Sequence, residues 1–248
     1  MNDLVNISVS GRVAILEIRR PPNNFFDETL LTALADALHA LDGDAQVSCV
    51  VLCSQGRHFC AGADLRGIGE DGIRRIYRQA LRLFTAAKPI VAAVQGAAVG
   101  GGLGLAMAAD FRVAGPQARF TANFARLGFH QGFALSVTLP RTVGEQHAAQ
   151  LLYTGRAVGA AEALAIGLCD QLADDPRAGA LALAEQIASS APLSLVAIRA
   201  TLRRRVTALA EAALDEEAAA QAALLGTADF AEGLSAAAGK RSPNFVGS

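Results

Sequence analysis

Apolar residues alternate with polar ones, or cluster as β-branched runs, at residues 5–9, 13–18, 47–52 and 90–94, and this pattern predicts four strands. The period changes in "DETLLTALADALHAL", which begins at Asp27. There apolar positions recur three and four apart behind an acidic first turn, predicting a helix. Strand runs alternating with helical runs favour an α/β core built from repeated turns of strand and helix. From about residue 177 the strand-like runs cease and Ala and Leu recur at helical spacing, so the C-terminal region is expected to be helical. No Gly/Ser-rich or Pro-rich linker separates it from the rest. The expected division is a core over residues 1–190 and a helical region over 191–248, packed on that core or on a neighbouring subunit.

Composition narrows the class. The chain has 248 residues, of which 52% are hydrophobic and 18% charged, enough to bury a large core without disulfides or metal. A net charge of -1 offers no basic footprint, so neither nucleic acid nor anionic lipid is an expected partner. Cys49, Cys53, Cys60 and Cys169 form no CxxC pair and have no histidine at ligand spacing, so no metal site is expected. The N-terminal stretch lacks the charged-then-apolar order of a signal peptide, and the apolar runs are broken before reaching the length of a membrane span. A cytoplasmic location with no membrane association is the corresponding expectation.

The candidate chemistry lies in two glycine-rich stretches. "VAAVQGAAVGGGLGLAMAADFRVA", residues 91–114, follows a strand-like run with Gly100, Gly101 and Gly102 and then an apolar helical segment. Glycines ahead of a helix suggest anion binding, because backbone N–H groups and the positive helix end are exposed there. Neither the dinucleotide pattern GxGxxG nor the phosphate-loop pattern fits, since Gly102 stands where the latter needs lysine. The remaining chemistry is stabilisation of a developing oxyanion by free N–H groups; tight backbone packing alone would also explain the glycines. "GRHFCAGADL", residues 56–65, supplies a second small-residue loop with N–H groups near Ala63, read as entering a helix. Two such loops could supply two donors to one oxygen.

Together with "KPIVAAVQGAAVGGGLGLAMAADFRVA", "FAEGLSAAAGKRSPNFVG" and the segment "RRPPNNFFDETLLTALADAL", that second loop resembles the crotonase superfamily, the enoyl-CoA hydratase and isomerase group. The resemblance covers essentially the whole chain. It implies a crotonase-like spiral of ββα turns, a helical C-terminal trimerisation region, a homotrimer or dimer of trimers, and an acyl-CoA thioester as ligand, with no cofactor beyond the coenzyme A of the substrate. Carried over by position, it implies that the N–H groups of Ala63 and Gly101 hold the thioester oxygen. It further implies that Ala61 contacts the adenine, and that Arg66 and Lys240 lie near the CoA phosphates.

The chain departs from that pattern at two positions. A hydratase of this group presents paired glutamates to one water, and Gly104 and Phe124 occupy the corresponding places. Residues 119–136 contain no Asp or Glu, so a small shift of alignment restores neither acid. Losing a general acid or base typically costs about 10² to 10⁴ in rate, which disfavours efficient two-glutamate hydration. Gly104 is read as leaving a gap where a carboxylate would stand. His130 is the candidate replacement acid or base, and a loop histidine satisfied by backbone is the alternative. Asp64, beside the first donor, reads as a helix-capping or substrate-site carboxylate. Phe124, Phe129 and Phe133 suggest an apolar acyl pocket, although core packing explains them equally. Three functions stay open: an acyl-CoA lyase or isomerase, a decarboxylase of malonyl-type thioesters, and a non-catalytic acyl-CoA-binding protein.

Overall fold

The computed structural model describes residues 3–64 and 67–248. Strands β1 (Val5–Ser10) and β2 (Val13–Ile18) form an antiparallel hairpin, followed by helix α1 (Glu28–Gly43). Asp27 caps α1 by accepting from the N–H of Leu30 at 2.9 Å, as its acidic N-terminal signal predicts. Then come β3 (Cys49–Ser54), α2 (Glu70–Phe84), β4 (Ile90–Val94), β5 (Ala97–Val99), α3 (Gly101–Ala108), β6 (Phe111–Ala114) and β7 (Arg119–Thr121). After a single 3₁₀ turn at Ala125–Leu127 the chain continues through α4 (Leu135–Val143), α5 (Glu145–Thr154), β8 (Ala157–Gly159), α6 (Ala160–Ala165) and β9 (Gln171–Leu172). It ends in α7 (Pro176–Ala188), α8 (Pro192–Leu224) and α9 (Ala228–Ala238).

Among the described residues the larger sheet has the order β1-β2-β3-β4-β6-β9, parallel from β2 onward, and the smaller has β5-β7-β8. Isolated parallel bridges from Phe26 to Ala63 and from Cys60 to Ala98 extend the pattern of the smaller sheet back along the chain. Each turn thus lays one strand in the large sheet, one short extended segment in the small one, and then a helix. Examples are β2, Phe26, α1; β3, Cys60, α2; and β4, β5, α3. This is the spiral of ββα turns.

Both faces of the large sheet are covered, as parallel strands require. Val50, Leu52, Ala92 and Val94 point into the main core, whereas Cys49, Val51, Val91 and Val113 point at α7. Ala180, Ala184 and Ala188, one row four residues apart on α7, allow that helix to lie close against them. The third strand begins two residues later than the apolar pattern suggests. Val47 is buried, but its N–H closes the turn onto the Asp44 carbonyl at 3.1 Å, and so cannot join the sheet. At the C-terminal end, α8 lays Val206, Ala210, Ala213, Leu214, Ala218 and Gln221 inward, a stripe at three- and four-residue spacing, against α2 and α4.

Candidate functional site

Between the two small-residue loops lies a cavity of about 90 Å³. One side of it is backbone, formed by residues 61–63 and 99–101. The two loops are zipped together: the Cys60 N–H donates to the Ala97 carbonyl at 3.0 Å, and the Val99 N–H donates to the Cys60 carbonyl at 3.0 Å. Ala63 and Gly101 each stand three residues beyond this parallel pairing, on the same rim.

The bridge around Phe26 fixes the direction of the Ala63 amide. The Phe26 N–H donates to the Gly62 carbonyl at 3.0 Å and the Asp64 N–H donates to the Phe26 carbonyl at 2.8 Å, so the amide groups of Ala63 face the opposite edge. Gly101 is the first residue of α3, where an N–H has no intrahelical partner. Both residues line the cavity, and neither N–H donates to another backbone group among the described residues.

Packing explains the glycines of this corner as fully as chemistry does. Gly100 has φ +56°, in the left-handed region. A Cβ on Gly102 would stand 2.1 Å from the Cys60 carbonyl oxygen, the atom that ties the loops together. A Cβ on Gly101 would overlap the Phe26 ring at 2.5 Å. The missing side chains therefore permit the zipper and leave the amide rim bare.

The remaining wall is apolar, made by Phe26, Ile73, Ile76, Phe124, Phe129 and Phe133. Among the described residues three polar side chains reach it: Tyr77, Asn123 and Gln221. The Tyr77 hydroxyl donates to Gln221 Oε1 at 2.8 Å, and Gln221 Nε2 donates to the His130 carbonyl at 2.9 Å. Burial, and then the charge of Glu217, push the Tyr77 phenol well above its ordinary range, so it stays protonated. Among the described residues no Asp or Glu lines the cavity.

Of the residues singled out from the sequence, Ala61, Ala63, Gly101 and Phe124 are brought together here, with Phe129 and Phe133. The Ala61 N–H is engaged by the Asn23 carbonyl at 2.9 Å, leaving its other face to the cavity. Gly104 is not in the lining, and the expected gap beside it is filled: a Cβ there would lie 2.4 Å from Phe133 Cβ. His130 also lies outside the lining. Phe129 and Phe133 take the inward positions of that loop, and His130 Nδ1 sits 2.7 Å from the Gln131 carbonyl oxygen. Asp64 is not in the cavity lining, and its N–H donates to the Phe26 carbonyl at 2.8 Å. It is not the N-cap of α2, which starts at Glu70 after Gly67 turns at φ +67° and has Gly69 as its N-cap. The second loop therefore does not run straight into a helix. Lys240 lines a separate open cleft with Arg126 and Arg241, and Arg66 lies outside the described residues. Tyr77, Asn123 and Gln221 were not anticipated. Gln221 had a usable signal, since it continues the inward stripe Ala210, Leu214, Glu217 along α8.

A parallel-sheet spiral that presents free amides at the rim of an apolar cavity defines a class of α/β protein able to hold a polarised carbonyl with an apolar substituent. The model of the enoyl-CoA hydratase/isomerase family matches residues 8–248, and the chain belongs to that family. It is 38% identical to a putative enoyl-CoA hydratase of Thermus thermophilus, over 95% of this chain and 98% of that one. It is also 38% identical to the probable enoyl-CoA hydratase EchA14 of Mycobacterium tuberculosis, over 81% of this chain and 82% of the relative. The crystal structure of an enoyl-CoA hydratase/isomerase from Pseudoalteromonas atlantica superposes with a TM-score of 0.89 at 35% identity, covering 98% of this chain and all of the other.

Proposed function

We propose that this protein is an acyl-CoA enzyme that polarises a thioester carbonyl between the N–H groups of Ala63 and Gly101, and does not run efficient two-carboxylate hydration. The observation that carries this reading is the cavity itself, which has both unengaged amides on its rim and no Asp or Glu in its lining among the described residues. Each donor of such a pair contributes about 2.7–4 kcal/mol to a transition state in which charge grows on oxygen. The positive end of α3 adds to that field.

The acyl group would occupy the phenylalanine-lined space. Its roughly 90 Å³ is smaller than the engineered cavity of about 150 Å³ that accommodates benzene, which points to short chains. Tyr77 and Gln221 satisfy each other, so the inner end makes no demand for a polar acyl tail. Asn123, whose side-chain oxygen lies near Gly100 at the rim, is the polar side chain placed to orient the thioester or a water.

The lining also favours chemistry that needs no enzyme base. Decarboxylation of a malonyl-type thioester is one such reaction: the C–C bond breaks, CO₂ departs, the electron pair becomes an enolate held by the two amides, and solvent returns a proton. The decisive experiment incubates purified protein with saturated, enoyl- and malonyl-type CoA thioesters and follows mass. Binding of thioesters is expected, together with hydration of crotonyl-CoA at least about 10³-fold slower than by a two-glutamate relative. Efficient crotonyl-CoA hydration would overturn the reading. Binding without turnover across the panel would identify a non-catalytic acyl-CoA carrier instead.

A further inference from the structure

Residues Phe133 and Ala134 have φ 61° and 58°, two successive non-glycine residues in the left-handed region. Such conformations are strained and persist only where their surroundings impose them. Here the surroundings are side chains from two other helices. Glu217 on α8 is 1% exposed, and its carboxylate accepts from the Ala134 N–H at 2.7 Å and the Ser136 N–H at 2.9 Å. It thereby caps α4, whose own N-cap, Ala134, has no side chain to do so. Gln221, one turn further along α8, holds the His130 carbonyl, and Tyr77 on α2 holds Gln221. The Tyr77 hydroxyl lies so close to the loop that a Cβ on Gly132 would overlap it at 1.7 Å. Burial pushes the Glu217 carboxyl above its ordinary value, and the amides it caps oppose that rise. Neither oxygen reaches the cavity, so Glu217 does not stand in for a missing catalytic glutamate.

The clamp fixes one side chain in particular. Phe133 is fully buried, meets Phe26 edge-on at 5.4 Å between ring centroids, and stands over Gly104. It forms the inner wall of the cavity. We infer that Tyr77, Glu217 and Gln221 are positioning residues that set the depth of the acyl cavity by holding Phe133 in place, and so restrict the protein to short acyl groups. This rests on the proposed acyl-CoA function and adds the substrate class to it.

The test compares binding of butanoyl-CoA and octanoyl-CoA by calorimetry to the full-length wild type, Glu217→Gln, Tyr77→Phe and Phe133→Ala, with thermal unfolding of each. Wild type is expected to prefer butanoyl-CoA by at least about tenfold, the discrimination a single methylene can give in a shaped pocket. In Glu217→Gln that ratio should shrink about tenfold or invert while butanoyl-CoA affinity stays within about threefold; in Tyr77→Phe and Phe133→Ala, whose side chains line the cavity, the ratio should shrink in the same way. A role limited to stability would weaken both ligands equally. Tyr77→Phe changes one hydroxyl only and decides the matter if Glu217→Gln fails to fold. Folded variants that keep the wild-type ratio, or lose both affinities together, overturn the inference alone, as does a wild type that takes octanoyl-CoA equally well. A wild type that binds neither thioester overturns the proposed function along with it.

Discussion

Gly104→Ala adds one methyl group in the middle of α3, where propensity alone would favour alanine by about 1 kcal/mol. The structure predicts the opposite sign. The new Cβ would stand 2.4 Å from Phe133 Cβ, 2.8 Å from its Cγ and 3.0 Å from its Cδ1. Comfortable carbon contacts lie near 3.5–4.0 Å, so something must move by about 1 Å. The neighbour is a fully buried side chain on a backbone pinned by Glu217, and the first atom struck is Cβ, which no rotamer change can move. Overpacking of this kind costs about 1–3 kcal/mol, here at the upper end, leaving a net loss of about 2 kcal/mol after the propensity gain. For a chain of this size that lowers Tm by roughly 4–8 °C. Gly226→Ala is the control: nothing lies within 4 Å of its Cβ, and it should be neutral or stabilising by up to about 1 kcal/mol. The assay is thermal and urea unfolding in a double-mutant cycle. Phe133→Ala keeps the offending Cβ, so the cost of Gly104→Ala should persist in that background and fall only with Phe133→Gly. A neutral Gly104→Ala, or complete relief by Phe133→Ala, would refute the reasoning. By the same geometry Gly104→Glu meets Phe133 Cβ first and then buries an unpaired carboxylate, so it should not restore hydration.

Three further outcomes follow from the described residues. Cys49, Cys53, Cys60 and Cys169 are buried, with thiols raised by burial to about 12, 11, 12 and 11, so a disulfide reagent at pH 8 should label them only after unfolding; stoichiometric labelling of native protein would contradict this. For Glu17, burial pushes its pKa up, but hydrogen bonds from Arg19 at 3.0 Å and Arg177 at 2.6 Å outweigh it, and the folded-state value is lowered. Its contribution is present above the unfolded carboxyl pKa and lost as pH falls through the folded value, so wild type should lose stability below about pH 4 more steeply than Glu17→Gln; parallel pH profiles would exclude it. Leu193, Ile198 and Leu202 on α8 are 85%, 55% and 71% exposed, more apolar surface than a lone helix leaves bare, so light scattering should find a trimer or hexamer and Leu202→Asp should dissociate it; a stable wild-type monomer at micromolar concentration would count against this.

The fold was legible where a local period meets a local partner. The hairpin of β1 and β2 and the Asp27-capped α1 follow directly from alternation and capping chemistry. The same logic slipped at residues 47 and 48, where apolar character continues but the N–H groups are used outside the strand, Ser48 donating to the Arg12 carbonyl at 2.8 Å. It slipped again after Ala63. A small-residue loop beside an amphipathic run reads as a helix entrance, yet Gly67 and Gly69 delay the helix to Glu70. Hydrophobic period carries no information on where an amide turns.

The two halves of the site differ in the same way. Ala63 and Gly101 lie in loops whose glycine spacing records the close approach of one backbone to another, so a local pattern reported them. Tyr77 and Gln221 are 144 positions apart, and Glu217 reaches a loop 81 to 83 positions away. Along α8 the run "DEEAAAQ" looks like a solvated face, and only the coincidence of Glu217 and Gln221 with the stripe through Ala210 and Leu214 marks two of its polar residues as buried. A polar residue on an apolar stripe must find hydrogen-bond partners inside. Here those partners are the amides and carbonyl of the segment that carries Phe133, which fills the place over Gly104. Reading Gly104 alone suggested room for a substrate or a carboxylate. Reading it with Phe133 shows that the missing side chain at one position is the space occupied by another.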